Sequence, residues 1–148
     1  MEFTIKNKQV PIKFNLALMY KMNKKLATVN QETGQKNNDG VGSFFSKVVN
    51  EDIEAIADLI QMQGKYTEND VLEAIDNYLD GEDELKPIFD DIREEMISSG
   101  FFKEQISKYI KNIKKAQKYL VNREGEEAEI QKQAIQDQLI QLEEGLNL

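Results

Sequence analysis

The chain has 148 residues, 40% of them apolar and 31% charged, and a net charge of -8; this suits one domain with a modest core and excludes a fully disordered chain. It contains no cysteine and no histidine, which excludes a disulfide scaffold, a thiolate metal site, a cysteine nucleophile and the usual imidazole base or zinc ligand. The acidic balance disfavours nucleic acid and anionic lipid as partners of the whole molecule.

The first predicted element is a β-hairpin. Phe3 and Ile5 alternate with Thr4 and Lys6, and Val10, Ile12 and Phe14 alternate with Pro11 and Lys13, across a polar turn at Asn7-Lys8-Gln9. Pro11 cannot donate to a ladder, so it belongs on an open edge. Two strands are marginal alone, so the hairpin must pack on helices or pair with another chain. Met1–Lys6 lacks the basic and apolar regions of a signal peptide, and no apolar run is long enough to span a membrane.

Asn15 is a candidate N-cap for a helix over residues 16–29, with Leu16, Met19, Tyr20, Met22, Leu26 and Val29 on its apolar side. Gln31 to Gly42 reads as a polar loop, long for a compact domain. Ser43 is placed to cap a short helix holding Phe44, Phe45, Val48 and Val49, and Asn50 marks either a new cap or a kink before Ile53, Ile56, Leu59 and Ile60. Thr67-Glu68-Asn69-Asp70 has the form of a capping box, and the helix behind it stops at Asp80-Gly81. A helix from Leu85 to Ser98 carries Pro87 in its first turn and ends at Gly100. Residues 101–144 are helical in character, interrupted at Asn122–Gly125. Beyond the interruption Ala128, Ile135, Leu139, Leu142 and Leu146 form a short heptad-like stripe, too polar to be stable alone. The fold class expected is mainly α: five to six helices with a small N-terminal β-hairpin. Residues 1–100 form the hairpin and helical core, and residues 101–148 a basic helix and an acidic tail that packs on the same domain or extends from it.

Charge is segregated along this order. Residues 1–50 carry a net +5, residues 51–100 a net -13, residues 101–123 a net +6 and residues 124–148 a net -6. Such blocks pair within the fold or meet a partner of opposite sign, and neutralisation between helices is the reading adopted.

Chemistry-bearing patterns are weak. Asp76 to Glu84 imitates a calcium loop, but Tyr78 and Pro87 stand where the third and twelfth ligands belong. Gly40-Val41-Gly42 lacks the strand and third glycine of a nucleotide loop. The carboxylate pairs Asp90-Asp91 and Glu94-Glu95 flank Arg93 on a wet helix face, without the apolar cleft that general acid catalysis needs. The lysines at 103, 108, 111, 114, 115 and 118 are interleaved with aromatics, as in single-strand binders, but acidic blocks flank them on both sides. No cofactor, metal or catalytic residue is expected.

The order of elements resembles one known family. Phe3-Thr4-Ile5-Lys6 and Val10-Pro11-Ile12-Lys13-Phe14 lead into Asn15-Leu16-Ala17-Leu18-Met19-Tyr20, and then come Gly40-Val41-Gly42-Ser43-Phe44-Phe45, Asp52-Ile53-Glu54-Ala55-Ile56 and Thr67-Glu68-Asn69-Asp70-Val71-Leu72. Over residues 1–100 this is similar to the tail assembly chaperones of long-tailed bacteriophages and prophages of Gram-positive bacteria. The resemblance implies a protein without catalysis that binds the tape measure protein, keeps it soluble in the host bacterial cytoplasm, and is left out of the mature virion. It implies a tail tube protein as second partner, recruited by a frameshifted longer form, with the 148-residue chain matching the short form. An edge hairpin and a heptad-like tail leave room for a homo-oligomer. Neither nucleic acid nor membrane is expected as a partner. Client contact is assigned to Met19, Met22, Phe44, Phe45, Ile135, Leu139 and Leu142. Two rival readings stand beside this one: a structural tail or head-tail connector protein, and a small helical regulator that binds nucleic acid.

Overall fold

The computed structural model describes residues 1–147. Among them are two strands, β1 (Glu2–Ile5) and β2 (Lys8–Pro11), and seven helices: α1 (Leu16–Lys25), α2 (Gly40–Val49), α3 (Ile53–Gln61), α4 (Glu68–Leu79), α5 (Lys86–Ser98), α6 (Gly100–Leu120) and α7 (Glu126–Asn147). The mainly α class with its small hairpin is as expected, but the helices number seven, not five to six. The break between α2 and α3 is complete: Asn50 caps the end of α2, Glu51 turns to a φ of 54°, and the Asp52 side chain accepts from the Glu54 amide at 3.0 Å to open α3. The tail is also one continuous helix.

The two strands pair antiparallel, with Phe3 opposite Val10 and Ile5 opposite Lys8. The turn is two residues, Lys6 and Asn7, at φ of 51° and 64°. It is tighter than the three-residue turn expected, because two left-handed residues match the strand twist best. This register turns Phe3 and Ile5 into the core, where Phe3 stacks on Tyr78 of α4 with ring centroids 5.0 Å apart.

Local signals start most helices. The Asn15 side chain accepts from the Leu18 amide at 3.0 Å. Thr67 and Asp70 form the reciprocal capping box of α4. Pro87 sits in the first turn of α5. Helix α1 stops at Lys25, short of the expected 29, because the chain beyond it is used differently. Val29 pairs with Lys36 in an isolated bridge, and Asp39 accepts from both the amide and hydroxyl of Thr28, at 2.7 and 2.5 Å. The polar loop is therefore pinned at both ends.

Helix α2 is the hub. Helices α1, α3, α5, α6 and α7 all pack against it. Its buried residues include Val41, Phe44, Phe45 and Val48, which with Met22, Ile56, Leu59, Ile60, Ile92, Phe102 and Ile106 make one continuous core. Full burial of each such side chain contributes about 1.5–3 kcal/mol. Helix α5 hands over to α6 through a single joint, Ser99, whose hydroxyl donates to the Phe14 carbonyl at 2.9 Å.

Candidate functional site

Helices α2 and α6 lie side by side, and α7 folds back across both. The face they offer is built from the core outward. Phe102, Ile106 and Ile110 of α6 are buried, and Ile113 continues the stripe half-buried. On α2 the matching residues are Phe45, buried, and Val49, half-buried. Two glycines set the spacing. A side-chain carbon at Gly42 would fall 2.0 Å from Cγ of Tyr109, so α2 and α6 meet closely only with glycine there. A side-chain carbon at Gly145 would fall 2.5 Å from Val49 Cγ1 and 3.3 Å from Phe45 Cζ, so α7 touches α2 through its own backbone.

Tyr109 belongs to this junction. Burial raises its pKa from the ordinary tyrosine value, and the charge of Asp39 adds to the rise while a hydrogen bond with Gln138 of α7 opposes it. The hydroxyl therefore stays protonated at neutral pH.

Among the described residues, Asn23 is the one buried polar side chain. Its Oδ1 accepts from the Val41 amide at 2.9 Å, capping α2 from a neighbouring helix, and its Nδ2 donates to Gln105 Oε1 at 3.2 Å. Ser43, expected as the cap, lies inside α2 instead, and Asp39, which precedes the helix, makes no side-chain cap bond.

Each residue assigned to client contact has a clear place. Met22, Phe44, Phe45 and Leu142 are fully buried, and Leu139 nearly so. Met19 and Ile135 are half-buried. Met19 and Met22 lie on α1, which packs on α2 and α6. Ile135, Leu139 and Leu142 lie on α7, so the structure brings the tail stripe and Phe45 into one junction. In this conformation these residues are chiefly packing residues. Sequence reading missed Asn23 and Gly145. The signal for Asn23 was present, because it sits four residues after Met19 and three before Leu26, on the apolar side of α1.

Charge follows the same junction. All six lysines of α6 are exposed. Among the described residues their ion pairs run to Glu104 of the same helix and to Glu143 of α7, the latter Lys114–Glu143 at 3.3 Å. Among the described residues one ion pair, Lys114–Glu143, joins the basic block to the acidic tail, and none joins it to residues 51–100. Along this seam α6 and α7 leave a cleft of about 870 Å³, lined by Lys114, Lys118, Gln136, Leu139, Ile140 and Glu143 among others. A second groove of about 270 Å³ runs between α3 and α4, with Ile53 and Leu72 exposed above Val71 and Ile75.

Asp91 accepts from the Tyr78 hydroxyl at 2.5 Å, and burial together with that carboxylate raises the tyrosine pKa well above its ordinary value. Among the described residues no three acidic side chains converge to hold a metal ion. Among them too, no helix is long and apolar enough to cross a membrane.

A family model described as phage tail assembly chaperone protein, TAC, matches residues 2–111. The chain belongs to the phage tail assembly chaperone family. No match was found among curated proteins or among solved structures. The family match spans the hairpin, α1 to α5 and the first half of α6. The end of α6 and all of α7 lie beyond it.

Proposed function

We propose that this chaperone binds the tape measure protein in the host cytoplasm, keeps it soluble while the tail tube assembles, and leaves before the virion is complete. The observation that carries the reading is the family match over residues 2–111. The architecture is compatible with it. A holding protein needs apolar helical faces that can be offered to a client helix, and an acidic exterior that keeps the complex in solution. It needs no nucleophile, base or metal, and the proposed action is binding without catalysis. The client-contact residues proposed are those around the α2, α6 and α7 junction, Phe44, Phe45, Ile135, Leu139 and Leu142, with Met19 and Met22 on α1 as a second set. A longer frameshifted form that recruits tube protein is part of the same proposal, as is association between copies of the chain.

Co-expression with the tape measure protein of the same genome tests this. The expected result is a larger soluble fraction of that protein and co-elution with this chain. A tape measure protein that stays insoluble while this chain elutes alone contradicts it. Copurification with mature particles instead would favour a structural tail protein.

A further inference from the structure

We infer that the α2/α6 face is a helix-binding groove, that α7 fills it as an exchangeable internal ligand, and that an amphipathic client helix takes α7's place. The client part of this inference rests on the proposed function.

Four observations carry it. First, α7 lies outside the family match, which ends at residue 111. Phe45 and Val49, which meet Gly145 of α7, and the α6 residues up to 111 lie inside it. The shared part of the fold thus presents an apolar face that a separate segment covers. Second, few residues of α7 are buried. Of its 22 residues only Ala128, Leu139, Leu142 and Gly145 are buried. Ile130 and Ile140 are 65% and 48% exposed on the same helix. The large cleft beside Leu139 and Ile140 shows that the seam with α6 is incompletely closed. Third, the segment that joins α7 to α6 is exposed and turns at a glycine. Residues 121–125 are all exposed, and Gly125 turns at a φ of 113° with open space where a β-carbon would stand. Fourth, the charges match. Helix α6 has six lysines and one acidic residue, whereas α7 has six acidic residues and one lysine.

The occupant's chemistry follows from what α7 presents. It is a helix with apolar residues where Leu139 and Leu142 lie, and a small residue where Gly145 meets Phe45 and Val49. An acidic flank faces Lys114. A bulky side chain at the small position would strike Val49, so the groove selects for helices that can approach closely.

The absence of native cysteine permits a clean test. A β-carbon at 145 would stand 2.5 Å from the Val49 Cγ1 position that a cysteine sulfur would take, so Val49→Cys/Gly145→Cys places two thiols within reach of a disulfide. The probe is a fluorescent synthetic peptide of residues 126–147, added to the full-length chain. The expected result is that the reduced pair captures the peptide at least tenfold more tightly than the oxidised pair. A full-length Leu139→Asp/Leu142→Asp variant should capture it more tightly still. Equal capture by oxidised and reduced protein overturns the inference, and this comparison stands even if the aspartate variant fails to fold. The tape measure protein is then added. Displacement of the peptide, and loss of client retention on oxidation, support the groove as the client site. Client retention that ignores the lock overturns the inference and leaves the proposed function standing. Peptide capture that follows the lock, with no form retaining the client, supports the groove and overturns the proposed function.

Discussion

Helices α2 and α7 meet across one junction but are held by different means. Helix α2 buries six of its ten residues, packs against five other helices and is capped in the interior by Asn23. Helix α7 buries four of its twenty-two and rests on α6 and α2 through Leu139, Leu142 and Gly145, with Ile135 and Leu146 half-buried beside them. Opening α2 means taking the core apart. Opening α7 costs only the burial of that stripe, and local opening of such a segment does not require global unfolding. The contrast separates a structural element from an exchangeable one within a single chain.

The contrast can be broken by substitution. The largest effect belongs to Phe44→Ala, which removes a fully buried ring at the hub and should cost about 3–5 kcal/mol of global stability in a urea titration. A loss below 1 kcal/mol would mean that α2 is not the hub. Gly42→Ala forces a methyl against Tyr109, and about 1–3 kcal/mol should be lost together with tighter α2/α6 packing. Asn23→Ala leaves the Val41 amide and Gln105 without their partner, again at about 1–3 kcal/mol, read by the same titration. Leu142→Ala should behave differently. Amides of α7 should exchange at least tenfold faster with deuterium, while the unfolding midpoint of the core shifts by no more than about 0.5 kcal/mol. A large shift of the core midpoint would place α7 among the structural elements.

The smallest effect is set by pH. The amide of Thr67, donating to Asp70, holds the Asp70 carboxyl below the usual carboxylate range, with the Thr67 hydroxyl and Lys6 acting the same way. A lowered folded-state pKa means a contribution that is present above the unfolded value of about 4 and lost as pH falls through the folded value. Nuclear magnetic resonance of the Thr67 amide should report the loss of the capping box in that acid range, without a change in α7. Asp70→Asn should abolish this transition.

What could be read in advance divides along the same line. Asn15, Thr67-Asp70 and Pro87 announce helix starts because a cap is satisfied by residues a few positions away. The helix start at Gly40 and the stop at Lys25 were hidden, because each depends on a distant partner: Asn23 for Val41, Asp39 for Thr28, Lys36 for Val29. The heptad-like tail stripe was visible as a pattern, but the sequence could not say whether it would dock on its own chain. Periodicity reports an apolar face and is silent about what covers it. The charge blocks showed the same limit: their signs were plain, yet among the described residues the one ion pair that leaves the basic helix runs to the tail and not to the more acidic middle of the chain.

The most direct test of the account is hydrogen–deuterium exchange on the full chain, free and bound to the tape measure protein. In the free protein α7 should exchange faster than α2 and α6. On binding, α2 and α6 should keep their protection while residues 126–147 lose theirs, as a client helix replaces the internal one. Protection that increases across α7 together with α2 and α6 would contradict the account, because it would mean that the client binds with the groove still closed.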